Sequence, residues 1–123
     1  MIIDHVENKT IWTFWTGDNE MSDTRKRAFE SLCETNKDCD VKLVTNKEID
    51  CLFGVHEGYE YLSPIQKGDY LKAYFMHNFG GGYSDVKSTP KSWASYFDRI
   101  KESEHLFGIG YAEASVGGVA CIE

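Results

Sequence analysis

The chain of 123 residues has no uncharged apolar run approaching the roughly 20 residues needed to cross a bilayer. A transmembrane segment is therefore not expected. Its opening, MIIDHVENK, carries charge where a secretory signal peptide is apolar, which points to a cytoplasmic protein, peripheral to a membrane at most. Basic residues are also in short supply. Thirteen Lys and Arg stand against 20 Asp and Glu, a formal charge of -7, so a nucleic-acid backbone is a poor partner. Any phosphate bound must be a small one, held locally. The four cysteines, Cys33, Cys39, Cys51 and Cys121, are too irregularly spaced for a zinc knuckle or a CxxC redox pair, and read as buried free thiols. His5, His56, His77 and His105 show no metal-ligand spacing. Internal repeats, low-complexity tracts and linkers are absent as well.

What is present is core material. Hydrophobic residues make up 41% of the chain and aromatic residues 14%, which is the composition of a folded domain. A chain of this length buries roughly two-thirds of its unfolded surface, enough for a core without staples. One domain over residues 1–123 is expected.

Thr10 to Thr16, TIWTFWT, is aromatic and β-branched and closes on Gly17 and Asp18, as a buried strand running into a loop does. Ser22 caps a helix whose Ala28, Phe29, Leu32 and Cys33 recur at helical spacing, ending near Asn36. Asp40 to Thr45 reads as a second strand. Thr45 and Glu48 have the spacing of a capping box opening a short helix through Leu52. At Ser63 the start signal is stronger, with Pro64 at the first helical position and Gln66 three residues after the cap. The helix it opens runs to about Asn78, buries Leu71, Phe75 and Phe79, and stops at Gly80, Gly81 and Gly82. Tyr83 to Lys87 is then extended. Thr89 and Pro90 restart a helix carrying Trp93, Phe97 and Ile100, and Leu106 to Tyr111 returns as a strand.

Strands alternating with helices of this length imply parallel pairing with right-handed crossovers, an α/β domain with a mostly parallel sheet flanked by helices. The chain breaks off at VGGVACIE, just after a glycine pair, so it is expected to be part of a larger fold, truncated at the C-terminus.

In an open parallel sheet, ligands collect beyond the carboxyl ends of the strands. Two segments lie there: Trp15, Thr16, Gly17 and Asp18 after the first strand, and Ser84, Asp85, Val86 and Lys87 after the glycine triplet. Glycine lets a backbone approach a ligand, and side chains two apart on an extended segment face the same way. Asp85 and Lys87 thus address one point, an arrangement suited to a metal-bound phosphate. Each residue also has a plainer reading. Asp85 can pair with Lys87 or cap the next helix, Asp69 and Lys72 can form a surface ion pair worth a few tenths of a kcal/mol, and Trp12 and Phe14 can be core.

The stretch Ile65 to Lys87, IQKGDYLKAYFMHNFGGGYSDVK, resembles the helix, glycine turn and DXD segment of glycosyltransferase family 32, and most closely the related capsular polysaccharide synthesis proteins. TIWTFWTGD resembles their first strand. The resemblance implies a GT-A-type, Rossmann-like domain, the donor-binding part of an enzyme that moves a sugar from a nucleoside diphosphate sugar, of UDP or GDP type, to the hydroxyl of a glycan acceptor. It implies that Asp69 and Lys72 on the helix, with Tyr83, Asp85 and Lys87 in the turn, bind the donor, that Asp69 holds the nucleoside, and that Trp15, Thr16 and Gly17 receive the base. It further implies a divalent cation, manganese or magnesium, with Asp85 as metal ligand. The third DXD position is Lys87, which cannot ligate a metal while protonated. Either Asp85 alone anchors the cation while Lys87 contacts the diphosphate, or Lys87 replaces part of the cation's charge.

Two other readings compete. DVKST is one residue away from the DxDxT loop of haloacid dehalogenase-like phosphatases, in which Asp85 would be the nucleophile, but the second Asp is missing. A non-catalytic nucleotide-sugar-binding domain is the other. An inverting transferase needs a base for the acceptor hydroxyl, and Asp98, Glu102, Glu104 and Glu113 follow the DVK segment without any sequence signal that selects among them.

Overall fold

The computed structural model describes residues 9–106 and 108–110. Among them three strands form one parallel sheet in the order β2-β1-β3: β1 is Thr10–Trp15, β2 is Asp40–Thr45 and β3 is the two-residue Gly82–Tyr83. The central strand pairs along its whole length with β2, from Thr10 opposite Asp40 to Trp15 opposite Thr45. On its other side only Ile11 and Trp12 find partners, Gly82 and Tyr83. The helices are α1 (Asp23–Thr35), the one-turn α2 (Asn46–Ile49), α3 (Pro64–Phe79) and α4 (Ala94–Glu102), with a 3-10 turn at Tyr59–Tyr61 before α3. The expected α/β layering and parallel sheet are present, an arrangement compatible with a Rossmann-like fold.

The starts of α1, α2 and α3 follow their sequence signals. Ser22 Oγ accepts the Arg25 N–H at 3.2 Å, and Ser63 and Gln66 exchange bonds at 3.0 and 3.2 Å, satisfying amides that the first turn leaves without partners. At the head of α2, the Thr45 N–H donates to the Glu48 carboxylate at 2.8 Å and the Thr45 hydroxyl donates to the same oxygen.

Side chains alternate across β1. Trp12 and Phe14 meet Phe75 of α3 with ring centroids 4.9 and 5.0 Å apart, and Phe79 closes on Trp12 at 5.8 Å. Val44, Ile49 and Leu71 complete this core, so Trp12 is core and Phe14 packs against it. Ile11 and Thr13 point to the opposite face, and both are fully buried. On that face Gly82 lies against Phe97 and Trp93; a Cβ there would come within 3.1 Å of the Phe97 ring.

The glycine triplet does more than end a helix. Gly80 caps α3 with φ 68°. Gly81 has φ 87°, and a Cβ on it would stand 2.6 Å from the Thr10 carbonyl oxygen. The Trp12 indole N–H donates to the Gly80 carbonyl at 2.9 Å, fastening the turn to β1. These close approaches are between backbone and protein, at the amino end of β1, and so account for the glycines without a ligand.

Three expectations are corrected. The helix expected from Pro90 starts at Ala94, because Asn36 engages Thr89 and the Trp93 N–H, and Ser92 Oγ receives the Ala94 N–H at 3.2 Å. The strand expected over 106–111 falls partly outside the described residues. Leu106 and residues 108–110 are not in a strand, and Ser103 Oγ takes the N–H groups of His105 and Leu106 at 3.2 Å, a local turn that competes with extension. Among the described residues the cysteines are free but not buried: Cys33 and Cys39 are half-buried and Cys51, two residues past α2, is exposed. Cys121 lies outside the described residues.

Candidate functional site

The carboxyl ends of β1 and β2 open onto a cleft of about 420 Å³ between the loop after β1, the α2 turn and the start of α3. Thr16 and Gly17 line it, as does Asn46, whose side-chain amide donates to the Thr16 carbonyl at 3.1 Å. Asp18, Asp50 and Glu60 make the wall acidic, and Lys67 stands over the Tyr59 ring at 5.3 Å. The Tyr59 hydroxyl is buried without a hydrogen-bond partner. Burial first, then the charges of Asp50 and Tyr70, hold its pKa above the usual tyrosine value. None of Tyr59, Asp50, Glu60 or Lys67 stood out in the sequence. The orphaned hydroxyl and the acidic wall exist only once the 3-10 turn is folded against α3.

Trp15 does not line this cleft. Its indole N–H donates to the Asn19 carbonyl at 2.9 Å, bracing the loop after β1. It is half-buried.

The other five candidate residues form a second group. β3 runs along the edge of the sheet beside β1, and the chain continues with the Ser84 N–H donating to the Trp12 carbonyl at 3.0 Å. The Tyr83 ring lies against Phe14, centroids 5.7 Å apart, and the Lys72 ammonium stands over it at 4.7 Å from the centroid. Its hydroxyl donates to Asp85 Oδ1 at 2.5 Å. Asp85 Oδ2 faces Lys87 Nζ at 3.9 Å, and Asp69 Oδ1 faces Lys72 Nζ at 3.9 Å. Both ion pairs that the plainer readings named are thus formed, and both are largely exposed, with a side-chain exposure of 63% at Asp85 and 74% at Asp69. Pairs this exposed contribute at most about 1 kcal/mol. On the far side of the segment, Arg25 of α1 donates to the Val86 carbonyl at 3.0 Å and pins it to the body of the domain.

The donor set decides whether a divalent cation fits here. Such an ion asks for several oxygen ligands with lone pairs turned toward it. Asp85 supplies the segment's single carboxylate, with one oxygen bonded by the Tyr83 hydroxyl and the other facing an ammonium. Among the described residues no group of three or more His, Cys, Asp and Glu is placed to hold a metal ion. By themselves these residues do not make an all-protein cage for a cation; a cation shared between Asp85 and a bound diphosphate is a separate case.

Of the acids that could serve as a base, Asp98 is paired with Lys9 at 2.9 Å, Glu102 and Glu104 are exposed, and Glu113 lies outside the described residues. No described helix is long and apolar enough to cross a membrane.

Fold and site together define a small parallel α/β domain with a polar cleft at the strand ends and a charged cluster at the β3 edge. No family model, curated protein or solved structure matches the chain.

Proposed function

We propose that this domain binds a nucleoside diphosphate sugar at the carboxyl side of its parallel sheet and belongs to an enzyme that transfers the sugar to a hydroxyl of a glycan, as in surface-polysaccharide synthesis. The observation that carries this reading is the contact chain Asp69, Lys72, Tyr83, Asp85 and Lys87. Its members come from α3 and from the segment beyond the glycine turn, and the resemblance to capsular sugar transferases assigns donor binding to these five. The cleft at Thr16 and Gly17 supports a separate site for the base at the end of β1.

In the transfer, the bond between the anomeric carbon and the diphosphate oxygen breaks, and its electron pair leaves with the diphosphate. The acceptor oxygen bonds to that carbon, and its proton passes to the departing diphosphate or to solvent. The domain's share is to bind the diphosphate, to orient it, and to stabilise the charge that grows on its bridging oxygen. The exposure of Lys72 and Lys87 supports assigning that electrostatic task to them. A cation held by Asp85 is the competing proposal.

Nitrogen-15 NMR of the intact chain titrated with UDP and with GDP tests the site. Shifts gathered on Thr16, Gly17 and residues 83–87 are expected with at least one of the two. Shifts confined to other surfaces, or none with either nucleotide, overturn the reading.

A further inference from the structure

We infer that a nucleoside diphosphate binds the β3 edge without a divalent cation, its negative charge met by the ammonium groups of Lys72 and Lys87. The inference rests on the donor-site reading above and concerns how that site handles charge.

Tyr83 links the surroundings of the two lysines. Its ring carries the Lys72 ammonium at 4.7 Å, and its hydroxyl fixes Asp85 at 2.5 Å, which in turn faces Lys87 at 3.9 Å. Phe14 backs the ring, so the ring is anchored to the central strand. Each lysine is therefore held in place while about half of its side chain stays exposed, 46% for Lys72 and 49% for Lys87. The 3.9 Å separation of Lys72 from Asp69 is longer than a hydrogen bond, so that carboxylate orients the ammonium without taking up its donors. An ammonium is a compact charge well suited to phosphate oxygens.

A dication drawn to Asp85 meets the opposite situation. It has to displace the Tyr83 hydroxyl from one oxygen or enter beside Lys87 at the other, against like charge. Asp85 is accordingly a positioning residue for Lys87.

Calorimetry of the intact chain with UDP and GDP, in EDTA and in manganese, separates the cases. Affinity in EDTA within about threefold of that in manganese is expected. Lys87→Ala is expected to weaken binding in EDTA roughly tenfold or more. Asp85→Asn is expected to weaken cation-free binding less than Lys87→Ala does, since it keeps an oxygen for the Tyr83 hydroxyl and removes a negative charge facing the ligand. Binding only in manganese overturns the inference and leaves the donor-site reading standing; binding in neither overturns both. A larger loss in Asp85→Asn than in Lys87→Ala, or no loss in Lys87→Ala, also overturns the inference. Should Lys87→Ala not fold, Lys87→Met keeps the aliphatic stem and Lys72→Met tests the other ammonium, each expected to weaken binding.

Discussion

The side-chain oxygen of Asn36 accepts the backbone N–H of Trp93 at 2.8 Å across 57 residues of sequence. The same amide donates to the Leu32 carbonyl at 2.9 Å and to the Thr89 hydroxyl at 3.2 Å. Asn36 is 1% exposed, so it is the buried polar joint between the end of α1 and the loop that delivers α4. Removing a buried partner leaves the remaining groups desolvated without compensation. Asn36→Ala is expected to cost about 2 to 4 kcal/mol in urea unfolding. Asn36→Asp keeps the bond from Trp93 but sets a carboxylate oxygen against the Leu32 carbonyl, and is expected to be at least as destabilising at neutral pH. A loss below about 0.5 kcal/mol in both variants contradicts this role.

Glycine positions divide by backbone geometry. Gly81 combines a left-handed φ of 87° with a 2.6 Å approach to the Thr10 carbonyl, and Gly81→Ala is expected to destabilise by about 2 to 4 kcal/mol. Gly68 lies inside α3, where an added Cβ meets nothing within 4 Å. There the residue only weakens the helix. Gly68→Ala is expected to add about 0.5 to 1 kcal/mol and raise Tm by roughly 2 to 5 °C. Calorimetric melts of the two variants, moving in opposite directions, check the distinction.

These two cases show where the sequence was informative and where it was not. Strand β2, both serine caps and the core stripe of α3 were legible because each is fixed by local chemistry or by periodicity within a few residues. Asn36 looked like a mere helix end because its partners lie 53 and 57 residues away. The same holds for the site. Asp85 and Lys87 are two residues apart and could be paired by eye, whereas the bond from Tyr83 and the approach of Lys72 depend on how α3 lies over β3. The acidic wall of the cleft needed the 3-10 turn, a short element with no period of its own.

Thiol reactivity is expected to sort by burial. Burial is the main cause that pushes the Cys33 and Cys39 thiols above their usual pKa; Glu30 and Glu34 add to it at Cys33, while Lys9 opposes it at Cys39. The thiolate is the nucleophile, so both are slowed twice, by protonation and by access. Cys51 is exposed. Peptide mapping after brief alkylation near pH 8 is expected to find Cys51 modified roughly tenfold faster than Cys33 or Cys39. Equal rates at the three would mean that the packing around Cys33 and Cys39, on α1 and in the turn before β2, opens in solution.

The α2 turn has its own pH dependence. The Thr45 hydroxyl, then the Thr45 N–H, then the Glu48 N–H all favour the ionised Glu48 carboxylate, and these outweigh the small opposing effect of burial, so its pKa lies below the usual glutamate value. A folded-state pKa below the unfolded one stabilises the fold at all pH above the unfolded value, and that contribution is lost as pH falls through the folded value. Wild type is therefore expected to be more stable than Glu48→Gln at about pH 6 and to lose the advantage as pH drops below the ordinary glutamate range, about 4.3. Urea midpoints of the pair at about pH 6, 4 and 3 give the comparison. The gap should narrow toward acid because only the wild-type group titrates; a gap constant with pH, or one that widens toward acid, shows that Thr45 does not hold the carboxylate in its charged form.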